Sequence, residues 1–188
     1  AEKEYMDFTM TAKGMPGHSS VPSADNALAR LSGAVSRLAA HRFPVVLNSV
    51  TAGFLKQQAQ TSPPAVAAAI QAVLASAEGP KREEAGTALA HLAPEFGAML
   101  RDTVTPTMLK AGYKSNVIPA EATATFNSRL LPGRKAAGLI ADIRRIVGDS
   151  KIEFVFEPPT RAAVGAMPID TPLYRAAVES ARGARVMP

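Results

Sequence analysis

The sequence predicts an α+β domain: one antiparallel sheet with two helices on one face, in the order strand, helix, strand, strand, helix, strand. Three observations predict it. Residues 5–12 and 120–131 alternate apolar and polar side chains, the pattern of half-buried strands. Residues 23–40 and 135–147 repeat apolar residues every third or fourth position, as helices lying on a sheet do. Between about 45 and 102 the alternation vanishes and alanines and helix-opening prolines take over, so this block reads as a helical insertion in a smaller α+β domain.

In the first strand Met6, Phe8, Met10 and Ala12 share one face, and Tyr5, Asp7, Thr9 and Thr11 the other. The turn Gly14-Met15-Pro16-Gly17-His18-Ser19-Ser20-Val21-Pro22 follows. Ser23 is the expected cap of the first helix, with Asp25 in its first turn. Leu28, Leu31, Val35 and Leu38 form its apolar stripe, it ends near Ala40, and Phe43-Pro44 stops it.

Within the block, Val45-Val46-Leu47 could start a strand and Thr51–Gln60 could be a helix. Pro63-Pro64 opens a helix to about Ala77, with Val66, Ile70, Val73 and Leu74 on one stripe, and Gly79-Pro80 breaks it. Two short helices are expected at 82–92 and 94–101. A strand over 103–113 and the turn Lys114-Ser115-Asn116 follow. Val117-Ile118-Pro119 leads into the strand 120–131, where Ala122, Ala124, Phe126, Ser128 and Leu130 face one way and Arg129 projects from the polar face. Pro132-Gly133 turns the chain into the second helix, with Ala136, Leu139, Ile140, Ile143 and Val147 inward and Gly148 closing it. Ile152, Phe154 and Phe156 make the last strand, and after a loop Thr171 opens a helix over 172–183. The other face of the sheet is polar, and its edges call for cover or for pairing between two copies.

The chain has 188 residues, 47% hydrophobic and 20% charged, the balance of a globular domain with a real core. The net charge of +5 comes from scattered basic residues without interleaved aromatics, so nucleic acid is not an expected partner. There is no cysteine, which excludes disulfides, thiolate metal sites and a cysteine nucleophile. No apolar run approaches the ~20 residues of a membrane span, so no membrane is expected. A cytoplasmic location is the expectation unless a targeting segment lies outside this chain. Both ends read as cut.

A hydrolase needs a nucleophile with a base, or a metal with a water. The sequence contains no His-Glu-x-x-His, no His-x-Asp and no two histidines close enough to share a metal. His41 and His91 read as solvated, and Glu83-Glu84 as acids suited to a helix start. Ser19 beside His18 makes no triad, because chain neighbours rarely point at each other and no orienting acid is evident. What remains is a set of donors: His18, Asn116 and Arg129. Together they can bind a carboxylate or polarise a carbonyl, but cannot activate water alone. Each also has a plain structural explanation. His18 can be a solvated turn residue, Asn116 a left-handed turn residue, and Arg129 the partner of an acid on the sheet surface.

Three segments resemble one known family in the same order: Gly14-x-Pro16-Gly17-His18-Ser19-Ser20-x-Pro22, Asn116-Val117-Ile118-Pro119-x-Glu121-Ala122, and Phe126-x-x-Arg129-x-Leu131-Pro132-Gly133. They are similar to the signatures of the lid, or dimerisation, domain of the zinc-dependent peptidase family M20. The long insertion followed by Thr103-Val104-Thr105-Pro106-Thr107-Met108 resembles its carboxypeptidase S branch. The resemblance implies a ferredoxin-like βαββαβ lid over residues 1–160, with the insertion at about 45–102 and with 161–188 leading back to a catalytic domain. That domain, with two zinc ions, their ligands and a catalytic glutamate, is missing from this chain. It further implies a homodimer through the lid, with His18 reaching the partner's active site to stabilise an oxyanion. Asn116 and Arg129 would line the pocket of a short peptide or N-acyl amino acid, cleaved at the amide bond next to its free carboxylate. The alternative is a dimeric ferredoxin-like binding or regulatory module without catalysis, and a third reading is the dimerisation domain of an inactive homologue.

Overall fold

A computed structural model describes residues 3–159 and 170–183 of the chain. In chain order the elements are β1 (Glu4–Lys13), β2 (Gly17–His18), α1 (Ala27–Ala40), α2 (Ser49–Gln58), α3 (Pro64–Ala75), α4 (Pro80–Leu92), α5 (Pro94–Met99), β3 (Thr103–Ala111), β4 (Val117–Ile118), β5 (Glu121–Leu130), α6 (Ala136–Val147), β6 (Ile152–Phe156) and α7 (Pro172–Gly183). The main sheet is antiparallel in the order β3-β5-β1-β6, and β2 and β4 form a second, two-stranded sheet. This is the ferredoxin-like α+β fold.

Alternation fixes which face of the sheet is buried. Met6, Phe8, Met10 and Ala12 of β1 and Ala122, Ala124, Phe126 and Leu130 of β5 point into one core beneath α1 and α6. The pairs Phe8↔Phe126 and Met10↔Ala124 set the register, and the two phenylalanine rings stack at 4.9 Å. The inner line of α1 is Ala27, Leu31, Ala34 and Leu38. It is rotated by one position from the expected stripe: Leu28 is partly exposed and Val35 only packs at the margin. Small alanines on the inner line let this helix lie close to the strands. The first helix is capped by Asn26, whose side chain accepts from the Ala29 amide. The expected cap, Ser23, instead takes the Asp25 amide in the preceding turn. Gly148 closes α6 in the left-handed conformation at φ 59°.

The helices α2–α5 enclose a second apolar cluster around Leu55, Ile70, Val73, Leu89 and Leu100. No strand forms at 45–47. The Val45 amide donates to the Glu83 carboxylate at 2.7 Å and the Val46 amide to the Leu100 carbonyl at 2.8 Å. The two crossings between this block and the sheet are tied by Arg101, which is buried. It donates to the Phe43 carbonyl (2.8 Å), the Glu83 carboxylate (2.8 Å) and carbonyl (3.2 Å), and the Thr87 hydroxyl (3.0 Å). Glu83 therefore serves this clamp rather than only the start of α4.

The strand β3 lies on the edge of the sheet, with Met108 and Leu109 about half exposed. A bulge between Pro106 and Met108 absorbs a residue, where proline has no amide to donate. The strand ends at Ala111, two residues earlier than expected, because Gly112 turns the chain at φ 68°. The helix expected at 172–183 is present. The loop before it and the last residues of the stretch 161–188 lie outside the described residues.

Candidate functional site

The loop carrying His18 is held at both of its ends. The Gly14 amide donates to the Ala120 carbonyl at 2.9 Å and the Met15 amide to the Asp25 carbonyl at 3.0 Å. Gly14 passes so close to the entry of α1 that a Cβ would sit 2.7 Å from the Ala27 nitrogen and closer still to the Asp25 oxygen. Glycine is needed there for space. Arg30 binds the Lys13 carbonyl and the Asp25 carboxylate, each at 2.6 Å. The Arg30 hydrogen bond, followed by that from Lys151, holds the Asp25 carboxyl below the usual carboxylate range.

Beyond this anchor, Gly17 pairs with Ile118 and His18 with Val117. The Ser19 amide adds a hydrogen bond to the Asn116 carbonyl at 3.0 Å. His18 is exposed. Its Nδ1 accepts from the Ser20 amide at 3.2 Å and lies 2.7 Å from the Ser20 hydroxyl. A backbone amide can only donate, so Nδ1 carries no proton in that arrangement, and the proton of the neutral ring sits on Nε2. Nε2 lies 3.5 Å from the Asn116 side-chain nitrogen. The Asn116 side-chain oxygen is buried without a partner among the described residues. Asn116 is not left-handed: among the described residues positive φ is confined to glycines. Its place comes instead from the β2–β4 pairing.

Arg129 stands on the polar face of β5, opposite Tyr5 of β1 and Thr103 of β3. Its guanidinium lies over the Tyr5 ring at 4.9 Å, and Nε donates to the Asn127 oxygen at 3.2 Å. Asn127 in turn donates to Asp7 at 2.8 Å, and the Tyr5 hydroxyl donates to Asp7 at 3.1 Å. That bond to Asp7 raises the Tyr5 phenol above its ordinary value. The alternative reading of Arg129, a direct ion pair with a surface acid, gives way to this relay through Asn127. Sequence reasoning missed Tyr5, Asp7 and Asn127, whose signal was their shared face at two-residue spacing and across the strand pair.

The fold brings His18 and Asn116 together and keeps Arg129 apart. Arg129 pairs with Tyr5, whereas the loop carrying His18 leaves β1 after Lys13. Eight residues of extended chain separate those positions, about 27 Å.

Among the described residues no group of three or more His, Asp or Glu could hold a metal ion. His41 packs edge-on against Phe43 at 4.8 Å, and His91 is exposed in α4. Among the described residues no helix is long and apolar enough to cross a membrane.

Comparison with known proteins gives a consistent picture. The model of a peptidase dimerisation domain matches residues 1–154. Over 154 residues the chain is 30% identical to human N-fatty-acyl-amino acid synthase/hydrolase PM20D1, covering 82% of this chain and 30% of that protein. A 70-residue stretch, 35% of this chain and 14% of the other, is 40% identical to "Probable carboxypeptidase S-like 2" of Dictyostelium discoideum. The chain thus spans less than a third of the length of these curated relatives. In fold it is similar to an M20 family metallo-carboxypeptidase of Sulfolobus solfataricus, with a TM-score of 0.58 at 18% identity, over 96% of this chain and 49% of that one.

Proposed function

The chain belongs to the M20 peptidase dimerisation domain family, and from that premise we propose that it is the lid and dimerisation unit of a metal-dependent amide hydrolase. The substrate is a short peptide or an N-acyl amino acid, cleaved next to its free carboxylate. The relatives, an N-fatty-acyl-amino acid synthase/hydrolase and a "Probable carboxypeptidase S-like 2", support that substrate class.

The observation that carries the reading is the separation of the donors. Arg129 stands beside Tyr5 at the start of β1, and the loop carrying His18 leaves after Lys13 at its other end, about 27 Å of extended strand later. One small substrate cannot touch both from a single chain. Two copies joined along the β3 edge resolve this: Arg129 holds the carboxylate in its own subunit's site, and His18 of the other copy steadies the oxyanion there. The Nε2 proton of the neutral imidazole is the donor that role needs. The exposed Met108 and Leu109 on β3 provide apolar surface for the join. The chain's own contribution is binding and charge stabilisation.

The test is His18→Ala in the full-length enzyme. Loss of one oxyanion donor lowers kcat by about a hundredfold or more, with KM little changed. Turnover near the wild-type rate overturns the assignment.

A further inference from the structure

The helical block overhangs one end of the sheet's polar face and leaves a cleft of about 310 Å³ between them. That volume is at the lower end of small-molecule pockets, about 300–1,000 Å³, and suits a single side chain better than a whole ligand. Val50 of α2, Ala98 and Met99 of α5, and Leu131 and Pro132 after β5 form apolar walls. The polar groups in the wall are mutually engaged: the Asn48 oxygen accepts from the Thr51 amide at 2.9 Å and hydroxyl at 3.1 Å.

The charges at the cleft have one sign. Lys3 and Arg129 both line it. The Lys3 ammonium donates once, to the Arg101 carbonyl at 2.5 Å, and retains further N–H groups. The Arg129 Nε is used by Asn127, while its two Nη nitrogens have no hydrogen-bond acceptor among the described residues. Asp102, the acid beside Lys3, is already occupied by Arg134 at 3.0 Å and the Leu131 amide at 2.8 Å. Paired cations above an apolar slot match a carboxylate whose neighbouring carbon carries an apolar group.

We propose that this cleft receives the side chain of the amino acid bearing the free carboxylate, and that it selects an apolar one. Arg129 and Lys3 hold the carboxylate, and Val50, Ala98, Met99 and Leu131 surround the side chain. The amide on the same carbon then points out of the cleft, towards the reacting centre. Glycine leaves the slot empty, and a cationic side chain meets two like charges. The proposal rests on the substrate class argued above and adds its side-chain preference.

Equilibrium binding tests it without relying on turnover. The full-length protein, treated with a chelator, is titrated calorimetrically with N-acetyl-L-phenylalanine, N-acetylglycine and N-acetyl-L-lysine. The phenylalanine ligand binds at least about tenfold more tightly than the other two, the scale of a filled against an empty apolar pocket. Ala98→Phe, which fills the slot from its exposed rim, and Met99→Ser, which removes a wall, each bring that ratio towards one. Equal affinities in the wild type, no binding of any of the three, or a ratio that survives both variants overturns the proposal. The amide-cleaving reading fails separately: metal-loaded enzyme that discriminates in binding but hydrolyses none of these ligands, nor dipeptides, removes the reaction and leaves the subsite.

Discussion

The exposed ring nitrogen of His18 lies 3.5 Å from the side-chain nitrogen of Asn116, 98 residues further along the chain. They meet because two residues of extended chain on each side pair as β2 and β4. The imidazole and the amide are therefore one unit rather than two separate donors.

Residues acting as a unit lose function non-additively. In the full-length enzyme, the kcat losses of His18→Ala and Asn116→Ala are expected to overlap. The double variant falls short of the product of the single losses by a coupling of about 1–3 kcal/mol. Steady-state kinetics of the three variants reads this directly, and losses that multiply cleanly contradict it.

The support of the loop makes a prediction that separates its two glycines. Gly14→Ala forces a methyl group against the backbone at Asp25 and Ala27. Such overpacking costs about 1–3 kcal/mol and lowers the melting temperature by several degrees. Gly17→Ala meets nothing nearer than the Ile118 side chain at 4.0 Å and leaves the melting temperature unchanged. Thermal denaturation followed by circular dichroism compares them.

Arg101 joins four acceptors, on Phe43, Glu83 and Thr87, at the crossing between the helical block and the sheet. Arg101→Met leaves buried acceptors and one carboxylate without their donor, at a cost of about 3 kcal/mol. Arg101→Lys recovers little of this, because an ammonium cannot reproduce the fork. Urea denaturation midpoints measure both.

Lys3 gives stability a pH dependence. Burial pulls its pKa down from 10.5 to about 8, opposed by Asp102 and reinforced by Arg129. Between those two values the folded chain has shed a proton that the unfolded chain still holds, so stability rises with pH across that window. Below about 8 both states are protonated and the cost of the buried charge is constant. Relative to Lys3→Met, the wild type is expected to gain stability from about pH 8 to 10.5. A flat or falling difference across that range contradicts the assignment.

How far the sequence can be read follows from how local each signal is. Phe8 and Phe126 announce their strands and their buried face because alternation is written along a single segment. Gly148 announces the end of α6 for the same reason. β2 and β4 have two residues each, too short for any periodicity, so the meeting of His18 and Asn116 is invisible to spacing. Ser23 and Asn26 are both capping residues, and the choice between them depends on where Asp25 and Arg30 hold the turn. Glu83 reads as a helix-start acid until the packing of α4 brings Arg101 and Val45 to it. The polar face of Arg129 follows from alternation. Asn127 shares that face for the same reason, but that it takes the Arg129 Nε is not legible, because an intrastrand contact competes on equal terms with a cross-strand ion pair.

In the dimer we propose, His18 serves the neighbouring copy's site and Arg129 its own. Co-expression of His18→Ala chains with Arg129→Met chains, each inactive alone, measures it most directly. A mixed dimer then has one site with both groups and one with neither. With half of the dimers mixed, activity returns to about a quarter of the wild-type rate. If instead both groups served the same chain's site, every site would lack one of them, and activity would stay at the level of the parent variants.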